Sequence, residues 1–368
     1  MTNDMLKVRA TKEYVPEMVE NILVRGTNWI GDVIMSLPAI SSIRHTFPRS
    51  RIAVLAKPWV ADLYRACPDI DEVIVFRSPG VHDGIMGKVR LASHLKARHF
   101  DIAFLLQNAI EAAIIVRLAQ IPVRAGYNSD GRGILLTHSV KRTKAIRKIH
   151  QTGYYLEMVE SLGIQRSGKD INIAPGDDYS LAAKKILAGH NIQKNDMLIG
   201  IAPGASYGPA KMWFPERFAA VADMLAGEYP AKFILFGSPG DRERANRVQE
   251  NAKTPMINLA GETTLKEVIG LAKECNLFIS NDSGLMHLAG ALDIPLIAIF
   301  GSTNPITTSP PGDKSVVIYK HVSCSPCLKK ECPTDFKCMD MITVDDVFCE
   351  AGRLLQRGID PSEYSPES

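Results

Sequence analysis

From residue 21 onward, short runs of β-branched and apolar residues alternate with longer stretches whose apolar positions recur at helical spacing. ILV at 22–24, IAVLA at 52–56, VIVF at 73–76 and IAFLL at 102–106 predict strands, and residues 32–46 predict a helix between two of them. This alternation is the signature of βαβ units around a parallel sheet. Around INIAPGDD, 171–178, polar and turn residues gather with Pro175 and Gly176 and predict a linker. The rhythm then restarts. MLIGIAP, KFILFG, PMINLAG, NLFISND and PLIAIFG are five further strand-like runs, each ending in a Gly, Pro or Asp turn. Thr264 followed by Glu267 makes a capping box, Pro215 suits the first turn of a helix, and VDDVFCEAGRLLQRG predicts a closing helix. The expected α/β architecture has two Rossmann-like domains facing a central cleft. Residues 1–20 form an N-terminal extension, 21–175 the first domain, 176–343 the second, and 344–368 a C-terminal helix and tail.

Composition agrees with that picture. A chain of 368 residues can bury two cores, and 46% hydrophobic with 23% charged residues is an ordinary globular balance. The first twenty residues are charged throughout and lack the apolar core of a signal peptide, and no apolar run elsewhere is long enough to span a bilayer. The expected location is the cytoplasm, where seven cysteines stay reduced. A net charge of +3 is too small to predict a nucleic-acid partner.

Three loops carry candidate chemistry. In RGTNWIGDVIMSLPAI, Gly26 and Gly31 have the spacing of the two glycines of a phosphate-binding loop, but Asp32 stands where such a loop carries its lysine. A carboxylate repels phosphate, so the loop points to a group that handles protons. Asp is also a preferred helix N-cap, and both readings stand at this point. After LIGIAP, the loop GASYGPAKMWF offers Ser206, Tyr207 and one cation, Lys211, a set suited to a diphosphate. In FISNDSGLMHLAGAL a predicted strand runs into Asp282, Ser283 and Gly284 and then a helix carrying His287, an arrangement whose exposed amides favour an anion. Asp241 and Glu243 follow another strand where a ribose could be held, and AGETTL at 260–265 could meet a nucleobase.

RGTNWIGDVIMSLPAI, LLQNAIEAA, RAGYNSDGRGILLT, PGASYGPAKMWF and NDSGLMHLAGALDIP occur in that order. Together they resemble glycosyltransferase family 9, the bacterial lipopolysaccharide heptosyltransferases, across residues 21–350. The resemblance implies a GT-B fold, with the donor held mainly by the second domain and the acceptor by the first. It implies inverting transfer of a heptose from ADP-L-glycero-β-D-manno-heptose to the first heptose of the lipopolysaccharide inner core. On the same resemblance Asp32 is the general base and Lys211 binds the diphosphate. Ser206 and Tyr207 contact the donor phosphates, Glu243 the ribose and Thr263 the adenine, while Asp282, Ser283, Gly284 and His287 form the donor-binding motif. Inverting transfer needs one carboxylate to take the proton of the attacking hydroxyl, and a diphosphate leaving group needs charge stabilisation more than protonation.

HSVKRTKAIRKIH, 138–150, concentrates cations in the first domain. A solvated helix face is the ordinary explanation. With the family resemblance, Arg142, Lys144 and Arg147 become candidates for contact with the phosphorylated acceptor or with the cytoplasmic face of the inner membrane that holds it. Cys324, Cys327, Cys332 and Cys338 in CSPCLKKECPTDFKC have a spacing that could hold a structural zinc or iron, with buried reduced thiols as the alternative. No cofactor is expected in catalysis. Rival readings are a family member with another acceptor and a noncatalytic nucleotide-sugar or metal-binding protein.

Overall fold

A computed structural model describes residues 8–358 of the chain. The chain divides between Ala174 and Pro175 into two compact units.

The first unit is built on a seven-stranded sheet: β1 (Val8–Ala10), β2 (Asn21–Arg25), β3 (Arg51–Ala56), β4 (Glu72–Val75), β5 (Ile102–Leu105), β6 (Val123–Tyr127) and β7 (His138–Val140). Its helices are α1 (Ile30–Thr46), α2 (Ala61–Arg65), α3 (Gly84–Lys96), α4 (Ile110–Leu118) and α5 (Gln151–Ser161). The strand order is β1-β7-β6-β5-β2-β3-β4, parallel except for β1. β2, β3 and β5 are apolar on both faces because helices cover both, which is why they read as unbroken hydrophobic runs. Chain order climbs from β2 to β4 on one side and restarts at β5 on the other. Between β2 and β5 the direction of winding reverses, and ligands of such sheets sit at the carboxyl ends of strands at this switch.

One expectation needs correction here. Part of the supposed extension belongs to the first sheet, since β1 pairs antiparallel with β7, Val8 opposite Val140, and covers what would be an open edge. The basic stretch 138–150 is β7 followed by turns, so the alternative of a solvated helix face does not apply to it.

The second unit comprises α6 (Asp177–Gly189), β8 (Met197–Ala202), α7 (Pro215–Glu228), β9 (Ala231–Leu235), α8 (Arg242–Asn251), β10 (Met256–Asn258), α9 (Leu265–Lys273), β11 (Leu277–Asn281), α10 (Gly284–Ala291), β12 (Leu296–Phe300), α11 (Pro305–Thr308), β13 (Ser315–Tyr319), α12 (Lys337–Asp340) and α13 (Val344–Gly358). Its parallel sheet runs β10-β9-β8-β11-β12-β13, with the switch between β8 and β11. Pro215 opens α7, and the Thr264–Glu267 box caps α9 reciprocally. α13 puts Val347, Ala351, Leu354 and Leu355 into this unit's core beside Trp213 and Phe218, so the closing helix is part of the second unit. Among the described residues no helix is long and apolar enough to cross a membrane.

Candidate active site

Asp32 follows the strand at the first unit's switch. It is the third residue of α1, whose N-cap is Trp29, so the capping explanation does not apply to it. The carboxylate is half-buried at the positive end of the helix, where the dipole favours its ionised form. The hydroxyl of Tyr155, on α5 and packed against α1, donates to Asp32 Oδ1 at 3.3 Å. Burial first, then the neighbouring Asp32 charge, pushes the Tyr155 phenol well above the usual tyrosine range. A phenol that stays protonated can only donate to a carboxylate.

The turn before α1 is fixed by its neighbours. A Cβ on Gly26 would lie 2.5 Å from the Tyr64 hydroxyl, which accepts from the Thr27 N–H at 2.8 Å. Arg25 is buried and donates to the carbonyl of Leu55 and to Asn28 Oδ1, and burial pushes its pKa down to about 10. Lys57 lies 3.9 Å over the ring of Phe76, which the Arg25 guanidinium also faces at 5.5 Å. Two buried cations therefore stand at the carboxyl ends of β2 and β3. Arg25 opens the RGTNWIGDVIMSLPAI motif, whereas Lys57 is marked only by following an apolar run.

LLQNAIEAA and RAGYNSDGRGILLT prove to be one scaffold. Arg132, fully buried, donates to the carbonyl of Tyr127 at 2.8 Å, to that of Gln107, and to Asn108 Oδ1 at 3.1 Å. Asn108 in turn donates to the Tyr154 hydroxyl at 2.8 Å, and Tyr154 packs edge-on against Tyr155. The network leads through adjacent tyrosines to the partner of Asp32. Arg142 stacks on Tyr154 with its guanidinium 5.6 Å from the ring centre, while Lys144 and Arg147 are exposed.

In the second unit Lys211 is gathered to the switch. Asn281, at the end of β11, donates to the Pro203 carbonyl at 2.7 Å and accepts from the Trp213 N–H at 2.9 Å, clamping the loop at both ends. Lys211 Nζ lies 2.6 Å from Asp282 Oδ2, which also accepts from the Thr303 hydroxyl at 2.5 Å. Asp282 is only 3% exposed, so its carboxylate acts here as the lysine's holder. The Tyr207 ring lies 5.1 Å from Lys211 Nζ, and Ser206 is exposed on the same loop. Ser283 caps α10, accepting from the Met286 N–H, and His287 is buried one turn in. Gly284 opens that helix with its amide at the N-terminus.

The remaining expectations fare differently. Thr263 has a buried hydroxyl with no hydrogen-bond partner among the described residues. Glu243 is exposed and engaged with Arg247 one turn along α8, at 2.7 Å. Asp241 completes a capping box with Ser238. Of the four cysteines, Cys324 is exposed, Cys338 lies in the core, and Cys332 Sγ accepts from the Phe336 N–H at 3.3 Å; burial first, then the nearby Cys324, Cys327 and Cys332, pushes the Cys338 thiol up. Among the described residues no group of three or more suitable side chains could hold a metal ion. The segment has another use. The Leu328 carbonyl accepts from the Tyr207 hydroxyl at 2.8 Å and the Lys330 carbonyl from the Ala210 N–H at 3.0 Å, bracing the Lys211 loop.

Residues 88–337 match the model of glycosyltransferase family 9 (heptosyltransferase). The chain belongs to glycosyltransferase family 9. It is thus a glycosyltransferase with two Rossmann-like units of the GT-B class. Among curated relatives of this family 9 chain, lipopolysaccharide heptosyltransferase 2 of Salmonella typhimurium is 32% identical over 307 residues, covering 81% of this chain and 87% of the relative. The solved structure of E. coli ADP-heptose lps heptosyltransferase II aligns with a TM-score of 0.77 at 27% identity, covering 92% of this chain and 99% of that one. A family 9 glycosyl transferase from Veillonella parvula aligns at 0.81 with 25% identity, covering 93% and 98%.

Proposed function

We propose that the protein catalyses inverting transfer of heptose from ADP-L-glycero-β-D-manno-heptose to the first heptose of the lipopolysaccharide inner core. The observation that carries the reading is Asp32 in the first turn of α1, oriented by a tyrosine that cannot give up its proton. Asp32 takes the proton of the attacking hydroxyl as the sugar passes through an oxocarbenium-like state, and Lys211 leaves Asp282 to neutralise the departing diphosphate. Ser206, Tyr207, Ser283, Gly284 and His287 complete the donor site, and the Thr263 loop meets the nucleobase. No metal enters this scheme, because the lysine supplies the charge. The acceptor belongs to the first unit, with Arg142 beside Tyr154 and with Arg25 and Lys57 as anion-compatible groups. The protein works in the cytoplasm at the surface of the inner membrane. The test is the mass of the product formed from ADP-heptose and acceptors bearing zero or one heptose.

Tyr155→Phe separates orientation from general packing. Removing a donor to the charged form raises a carboxylate's pKa, so the acid limb of kcat/KM moves to higher pH, by about one unit for a loss near 1.4 kcal/mol. A variant with reduced activity but an unmoved limb would mean that Tyr155 acts only through packing.

A further inference from the structure

α3 and α4 pack against each other and both turn apolar side chains to solvent. On α4 the buried positions are Ala112, Ala113, Ile115 and Val116. Its exposed stripe repeats at i, i+4 and i+8 as Ile110, Ile114 and Leu118, at 46%, 40% and 49% exposure. On α3 the exposed arc begins with Ile85, Met86 and Val89, the first two 81% and 75% exposed. Helices on a globular surface normally reverse this pattern, with the polar face outward. Both faces here are unpartnered, and contiguous exposed apolar patches mark interaction sites.

The charges around the patch say what covers it. α3 carries Lys88, Arg90 and Lys96 with no acid beyond its N-cap Asp83, whose carboxylate accepts from the Ser78 hydroxyl and the Gly80 N–H, and α4 carries Arg117 and a single acid, Glu111, which Lys88 neutralises at 2.8 Å. Apolar side chains rimmed by cations match the interface of an anionic bilayer, into whose boundary such a face inserts while the cations meet headgroups. A second copy of the chain fits poorly, because a two-fold contact would lay this basic rim against itself.

We infer that the α3–α4 face docks the protein on an anionic lipid surface through Ile85, Met86, Ile114 and Leu118, with Arg90 and Arg117 at the headgroups. The inference names the surface for the membrane contact in the functional reading and rests on that reading only for the presence of a bilayer. It places that contact on α3 and α4 and not on Arg142, Lys144 and Arg147.

The test is flotation of the full-length protein with vesicles of phosphatidylethanolamine and phosphatidylglycerol, or of phosphatidylcholine alone. Wild type floats with the anionic vesicles, less so as salt rises. Ile85→Ser with Met86→Ser, and separately Ile114→Ser with Leu118→Ser, weaken binding at least tenfold, given the usual transfer energy of such side chains. Arg90→Glu with Arg117→Glu weakens it several-fold. All three variants keep wild-type transfer to a core oligosaccharide that lacks its lipid. Wild type that fails to float overturns the inference, as does binding unchanged in these variants or lost only on reversal of Arg142, Lys144 and Arg147. A concentration-dependent dimer abolished by the serine variants also overturns it and makes the face a self-association surface. Vesicle binding without heptose transfer by wild type would count against the functional reading and leave this surface standing.

Discussion

Asp32→Asn is expected to lower kcat by about 10²- to 10⁴-fold, the usual worth of a general base, and to leave the affinity for ADP-heptose within a factor of a few. The substitution keeps the shape of the side chain and its ability to accept from Tyr155, so the fold should survive. What it removes is the capacity to take a proton. Asparagine also lacks the charge that the first turn of α1 favours, a contribution of a few tenths to 1 kcal/mol to stability, small beside the catalytic loss. Steady-state rates of ADP release, with calorimetric titration of ADP, would separate the two effects. An equal loss of donor affinity would make Asp32 part of the donor site and not the base.

Lys211→Ala is expected to cost about 10²- to 10³-fold in kcat, the range seen when one preorganised group facing developing charge is removed. Donor binding should weaken as well, because the diphosphate loses its cation. The buried Asp282 carboxylate is then left with Thr303 alone, and an unbalanced buried charge destabilises its surroundings by roughly 3–5 kcal/mol. Asp282→Asn should therefore rescue the stability of Lys211→Ala without restoring turnover. Denaturant midpoints and rates for the two single variants and the double variant provide the measurement. Strictly additive stability effects would mean that the two side chains are not coupled in the free enzyme.

These sites differ in how far they could be read from the residues. Asp32 and Lys211 were legible because each lies in a glycine-marked loop after an unbroken apolar run, and such loops end up at strand carboxyl ends. Their pairings were not. Tyr155 lies 123 residues from Asp32, and Asp282 lies 71 residues from Lys211, so only the switch-point topology brings each pair together. Thr303 follows β12 with no local mark. The short strands β1 and β7 lack the length for a pattern, and their pairing comes from the sheet edge. Spacing could not show that Cys338 belongs to a core while Cys324 faces solvent. The apolar helical faces of α3 and α4 lay among residues that read as ordinary amphipathic stretches.

Mass spectrometry of the reaction products tests the central claim most directly. Incubated with ADP-L-glycero-β-D-manno-heptose, the protein is predicted to add a single heptose to an inner-core acceptor already bearing one heptose, and none to the acceptor without it. Addition to the heptose-free acceptor, or no addition to either, would contradict the proposed function.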